Sequence, residues 1–223
     1  MKTYSARAGH AFFAATMIGV GIMGFVHRDF TAIWEPVPRF VPARDVLVYL
    51  SAIVSLMSGV GILWQRTAAI AARLLLGFVV AWLLLLDIPN FLLTPGMELT
   101  WAACKTAVLV AAAWVLYIWF ASNRDRQRLR FATGDAGLRI ARTLYGLALI
   151  PFGIAHFTYL ERTVSMVPAW LPWHLAWAYF FGCTFIAAGV AIIIGVYARL
   201  AAALSVVQLA MFTVLVWIPF VIS

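Results

Sequence analysis

Polar positions in this chain are scarce and come in clumps. Between them run seven apolar stretches, at about 10–27, 46–64, 68–87, 101–121, 138–157, 175–196 and 199–220. Each has the roughly 17 to 25 residues that a helix needs to cross a hydrocarbon core. None alternates strictly as a membrane-barrel strand would. The pattern therefore predicts an all-α, polytopic transmembrane bundle of about seven helices. Only Gln65, Arg66 and Thr67 separate the second stretch from the third, and Gly195 to Ala198 join the sixth to the seventh. Both pairs are predicted as tight antiparallel hairpins. The first stretch follows Lys2 and Arg7 as a signal-peptide core would, but no small-x-small cleavage site comes after it, so it is read as a helix of the bundle.

The pattern also repeats, and an internal repeat constrains a fold before any local detail does. A shift of 130 places Val37-Pro38 on Val167-Pro168, Pro42 on Pro172, Tyr49 on Tyr179, Gly59-Val60 on Gly189-Val190 and Ile88-Pro89 on Ile218-Pro219. One extra residue in the second loop then brings Gly24 and His27 onto Gly153 and His156, so GFVH and GIAH each close a first helix. The organisation expected is a four-helix unit over 1–121, a basic cytoplasmic linker over 122–137, and a second unit over 138–223. The second unit ends where its fourth helix would begin, giving two parallel repeats in a 4+3 arrangement.

Composition agrees with this reading. Of 223 residues, 65% are hydrophobic and 11% charged, and the mean hydropathy is +0.99. A soluble domain carries about 25% charged residues, so the partner implied is the lipid bilayer. The net charge of +8 does not point to nucleic acid, because the arginines flank apolar spans. With the amino terminus inside, eleven Lys and Arg face the cytoplasm and five the other side. The positive-inside rule then places the carboxyl terminus outside. Arg73 and Lys105, each about one turn inside a span, are expected to snorkel on their long stems; Lys105 has Glu98 and Asp87 as alternative partners. Cys104 and Cys183 match no metal or redox spacing and are expected to be small buried hydrophobes.

Candidate chemistry collects on the outer side, in His27, Asp29, Trp34 and Asp87 of the first unit and His156, Glu161, Trp170 and His174 of the second. Segments 28–45 and 158–174, rich in proline and aromatics, are expected to be irregular interfacial loops. Three roles are open to a histidine at such a helix end. It can complete the helix by hydrogen bonding, bind the carbonyl of a quinone or similar amphipathic ligand, or ligate a metal with Asp29, His174 or Glu161. No spacing fixes two metal ligands on one element, so no metal site is assigned.

GIAHF at 153–157, MVPAWLP at 166–172, YFFG at 179–182 and ARLAAAL at 198–204 resemble, in this order, the DoxX-like family of small bacterial membrane proteins. The first unit shares the pattern more weakly, through Val37-Pro38, Pro42, Tyr49 and Gly59. The resemblance implies a bacterial inner membrane protein tied to redox or stress chemistry, since some relatives are subunits of thiosulfate:quinone oxidoreductases or membrane anchors of other complexes. It makes quinone the expected ligand and a membrane or periplasmic protein the expected partner. The chain departs from the family where Phe185, after Gly182, and Ser55 stand in place of a glutamate frequent in relatives. Alternative roles are a non-enzymatic scaffold and, less favoured because the units are not inverted, a transporter.

Overall fold

The computed structural model describes residues 2–217. Those residues form α1 (Lys2–His27), α2 (Arg44–Leu63), α3 (Ala68–Trp82), a π-helical segment (Leu83–Asp87), α4 (Ile88–Leu93), α5 (Met97–Phe120), α6 (Asn123–Arg128), α7 (Gly134–Thr158), α8 (Leu160–Ser165), α9 (His174–Ile194), α10 (Ala198–Phe212) and a second π-helical segment (Thr213–Trp217). Among the described residues there is no strand. Seven helices among them are long and apolar enough to cross a membrane: Ala8–His27, Arg44–Leu63, Ala68–Leu93, Glu98–Phe120, Gly134–Thr158, His174–Ile194 and Ala198–Leu215. The chain is thus an integral membrane protein. Its large outward side chains, such as Leu74, Leu85, Leu200 and Val206, are suited to lipid.

The chain forms two compact units, Met1–Ala141 and Arg142–Ser223. Their elements recur at one offset. Adding 130 to the start of α2 and to both ends of α3 and of the first π segment gives the start of α9 and both ends of α10 and of the second π segment. Ala43 before α2 and Trp173 before α9 are both left-handed, with φ of 54° and 57°. Inside each unit the first two helices touch backbone to backbone. A Cβ on Gly59 would lie 2.7 Å from the Ala14 carbonyl oxygen, and one on Gly189 would lie 2.7 Å from that of Gly146. Small residues are what permits such an approach in lipid, where burial of apolar area supplies no force between helices. Lower down, Gln208 on α10 accepts from the Thr184 hydroxyl at 3.0 Å and donates to the Phe181 carbonyl at 3.3 Å, tying α10 to α9.

Several local expectations are corrected. The third span does not end at Asp87 but runs on to Leu93 through Pro89. Proline has no N–H and its ring crowds the carbonyl four residues back, here Leu85, which lies within the π segment where the ladder is widened. The 158–174 segment is not wholly irregular, because Leu160–Ser165 precedes its prolines and coils as α8. In the basic stretch, Ser122 and Asp125 form a capping box that starts α6. Arg73 finds a partner within the protein: its Nη2 lies 2.8 Å from each Asp125 oxygen. Cys104 is buried as expected, whereas Cys183 is exposed on α9; both are free thiols.

Two outcomes follow. Gly189→Ala places a methyl against the Gly146 backbone, which cannot yield as a flexible side chain would, and is expected to cost about 1–3 kcal/mol; thermal unfolding in detergent measures it. At Asp125 the Ser122 hydroxyl, then its N–H, and the Arg73 guanidinium hold the carboxyl below the ordinary carboxylate range. A depressed folded-state pKa stabilises fully above the ordinary value of about 4, and the contribution drains away as pH falls from there through the lower folded value. The melting temperature of the native chain should therefore drop more steeply across that window than that of Asp125→Asn.

Candidate functional site

The eight candidate residues divide between the units, and they divide again by what surrounds them. In the first unit His27 is the last residue of α1 and is exposed. Arg28, at a left-handed φ of 55°, donates its N–H to the Gly24 carbonyl at 3.1 Å and stops the helix at once. Asp29 accepts from the Phe30 N–H at 2.7 Å and pairs with Arg44 at 3.0 Å. The Phe30 N–H first, and Arg44 after it, hold its carboxyl below the ordinary range. Arg44 also lies 4.9 Å over the Phe30 ring. Asp29 thus fixes the start of the loop to the start of α2.

Trp34 is nearly fully buried, its ring 5.3 Å from Phe78 and 5.0 Å from Trp82. Asp87 is buried on the π segment, beside the Thr106 hydroxyl and the Lys105 ammonium. Lys105, however, gives its hydrogen bonds to the Ala32 and Glu35 carbonyls, the latter at 3.0 Å, and so fastens the loop between α1 and α2 to α5. Of the two acids expected near Lys105, Asp87 is thus a charged neighbour, while the hydrogen bonds go to the loop carbonyls. The first unit's residues therefore serve mainly to close and pin a packed loop.

In the second unit α7 continues past its histidine to Thr158, so His156 is carried inward rather than left at the end. It is 94% buried. Its Nδ1 lies 2.8 Å from the Phe152 carbonyl oxygen, while Nε2 is buried without a hydrogen-bond partner. The ring packs on Phe185 and edge-on to Phe212, at 5.6 and 6.3 Å. Beside it is a cavity of about 200 Å³. Thr163 and Met166 from the α8 region, Trp170 from the loop, Trp177 and Phe181 from α9, and Phe212 from α10 line it.

Of the predicted residues only His156 and Trp170 meet at this cavity. His174 turns to the loop instead, its Nε2 3.1 Å from the Pro168 carbonyl oxygen, and Glu161 is exposed on α8. Thr163 and the α9 and α10 residues were not singled out from sequence. The repeat held the signal for one of them. In the register that sets His27 on His156, Trp34 falls on Thr163, a change from the largest side chain to a small one.

The pinning of the first loop is testable. Lys105→Met removes the donor shared by the Ala32 and Glu35 carbonyls, and a loss of about 1–2 kcal/mol is expected. Trypsin should then cut at Arg39 faster than in the native chain while the transmembrane helices stay protected.

Among the described residues no group of three or more His, Cys, Asp or Glu is placed to hold a metal ion. Compared with protein-family models, with curated proteins and with solved structures, the chain matches none.

Proposed function

We propose that the protein is a DoxX-like, redox- or stress-associated subunit of a bacterial inner membrane. It binds a quinone-like molecule in the cavity of its second unit, on the side that the positive-inside pattern makes the outer face. The supporting observation is an apolar cavity of ring size with a single buried, unpartnered polar atom, His156 Nε2, among its described lining residues. An apolar cavity of roughly 150 Å³ is enough to hold benzene, so about 200 Å³ accepts a substituted six-membered ring. Pockets that bind such ligands combine apolar walls with few, placed polar groups. Trp170, exposed and carried by the outer loop, stands where a tail or a partner protein meets the ring. Binding falls to these residues, and redox chemistry to a partner in the same membrane.

Native mass spectrometry of the chain released from nanodiscs tests the proposal. A decyl-tailed benzoquinone, offered in both redox states, should give a one-to-one adduct in at least one of them. Thr163→Trp, which fills the cavity as Trp34 fills the first unit, should lose that adduct without a lower melting temperature; Ala178→Phe is the second filling variant should the first misfold. An absence of adducts in both redox states, or adducts that survive filling, would overturn the reading.

A further inference from the structure

The cavity's polarity has a direction. The Phe152 carbonyl can only accept, so the 2.8 Å contact at Nδ1 requires the ring proton to sit there. In the neutral imidazole Nε2 then carries a lone pair and no hydrogen. Thr163, the other polar residue near it, has its hydroxyl turned to the backbone: Leu160 O lies at 2.9 Å, and His156 O and Tyr159 O at 3.3 Å. Its proton is engaged and its lone pairs remain. Both groups therefore bring acceptors, and the side-chain donors of the wall are the indole N–H groups of Trp170 and Trp177. A guest that brings only a carbonyl would set lone pair against lone pair and leave Nε2 unpaired, whereas a guest with a hydroxyl satisfies it.

The first unit indicates the shape of the guest. There Trp34, which the offset of 129 that pairs the two histidines sets on Thr163, lays a flat aromatic ring against Trp82, and the offset of 130 that holds from Val37 onward sets Trp82 on Phe212 of the cavity wall. The side chain present in one unit is missing from the other, and the space is left beside His156. Building on the binding reading above, we infer that the cavity selects a planar aromatic ring bearing a hydroxyl, the head of a phenol or a reduced quinol, over the corresponding carbonyl or ether. The hydroxyl donates to His156 Nε2 and the ring lies against Phe212.

A redox-stable pair tests this on the full chain in nanodiscs. Isothermal titration with 1-naphthol and with its methyl ether compares one ring with and without the donor. Leaving a buried acceptor unpaired is costly enough that naphthol should bind about tenfold tighter or more. In His156→Phe, which keeps a ring in place, the preference should fall to about twofold or less. Equal binding of the two by the native chain would overturn the inference while leaving an aromatic-binding cavity; binding of neither would overturn the cavity reading as well. Should His156→Phe fail to fold, the ratio measured on the native chain decides alone. Hydroquinone with and without a decyl tail separates the sources: tighter binding of the tailed form beyond its membrane partition identifies a membrane-dissolved quinol, and parity a water-soluble phenol. Either result requires the hydroxyl contact.

Discussion

Everything in each unit depends on two helices being able to touch without side chains between them. In lipid there is no gain from hiding apolar surface in a neighbouring helix, so association rests on close van der Waals fit and a few hydrogen bonds. Gly59 on Ala14, and Gly189 on Gly146, supply that fit. Once α1 and α2, or α7 and α9, are locked at this spacing, the third helix has a fixed seat. In the second unit the Gln208 amide, bonded to both Thr184 and Phe181, holds that seat from the polar side. The loop between the first two helices is then stretched across a mouth whose width is already set.

What the mouth contains is where the two copies part. In the first unit the loop sends Trp34 down between Phe78 and Trp82, and Lys105 fastens the same loop from α5. In the second, Thr163 is too short to fill the corresponding position, and Gln208 stands in the register of Phe78. There the first helix runs on past its histidine to Thr158, and His156 is buried where His27 is exposed. One copy thus invests in closure and the other keeps an opening, from the same backbone plan.

The helices and the offset between the units were legible in the sequence, because apolar length and a repeat of 130 are one-dimensional properties. The hairpins were too, since three or four residues leave no other connection. The site was legible only in part. His156 and Trp170 can be picked out by type, but what separates His156 from His27 is that α1 stops at the left-handed Arg28 while α7 runs on to Thr158. Depth in a span points Arg73 and Lys105 to headgroups or to near acids, whereas the hydrogen bonds they make go to Asp125 and to two loop carbonyls, 52 and about 70 residues away in the chain. Pro89 reads as the end of a helix because the widened turn that accommodates it has no signature in hydropathy.

That widened turn also resets the faces of the helix that carries it. Leu83–Asp87 and Thr213–Trp217 hold the same place in the two units, 130 residues apart to the residue. A turn closed by bonds five residues apart takes up more chain than one of 3.6 residues. Side chains beyond it are therefore rotated about the axis. In the first unit, Ile88–Leu93 face directions that a uniform helical wheel drawn from Ala68 would misassign.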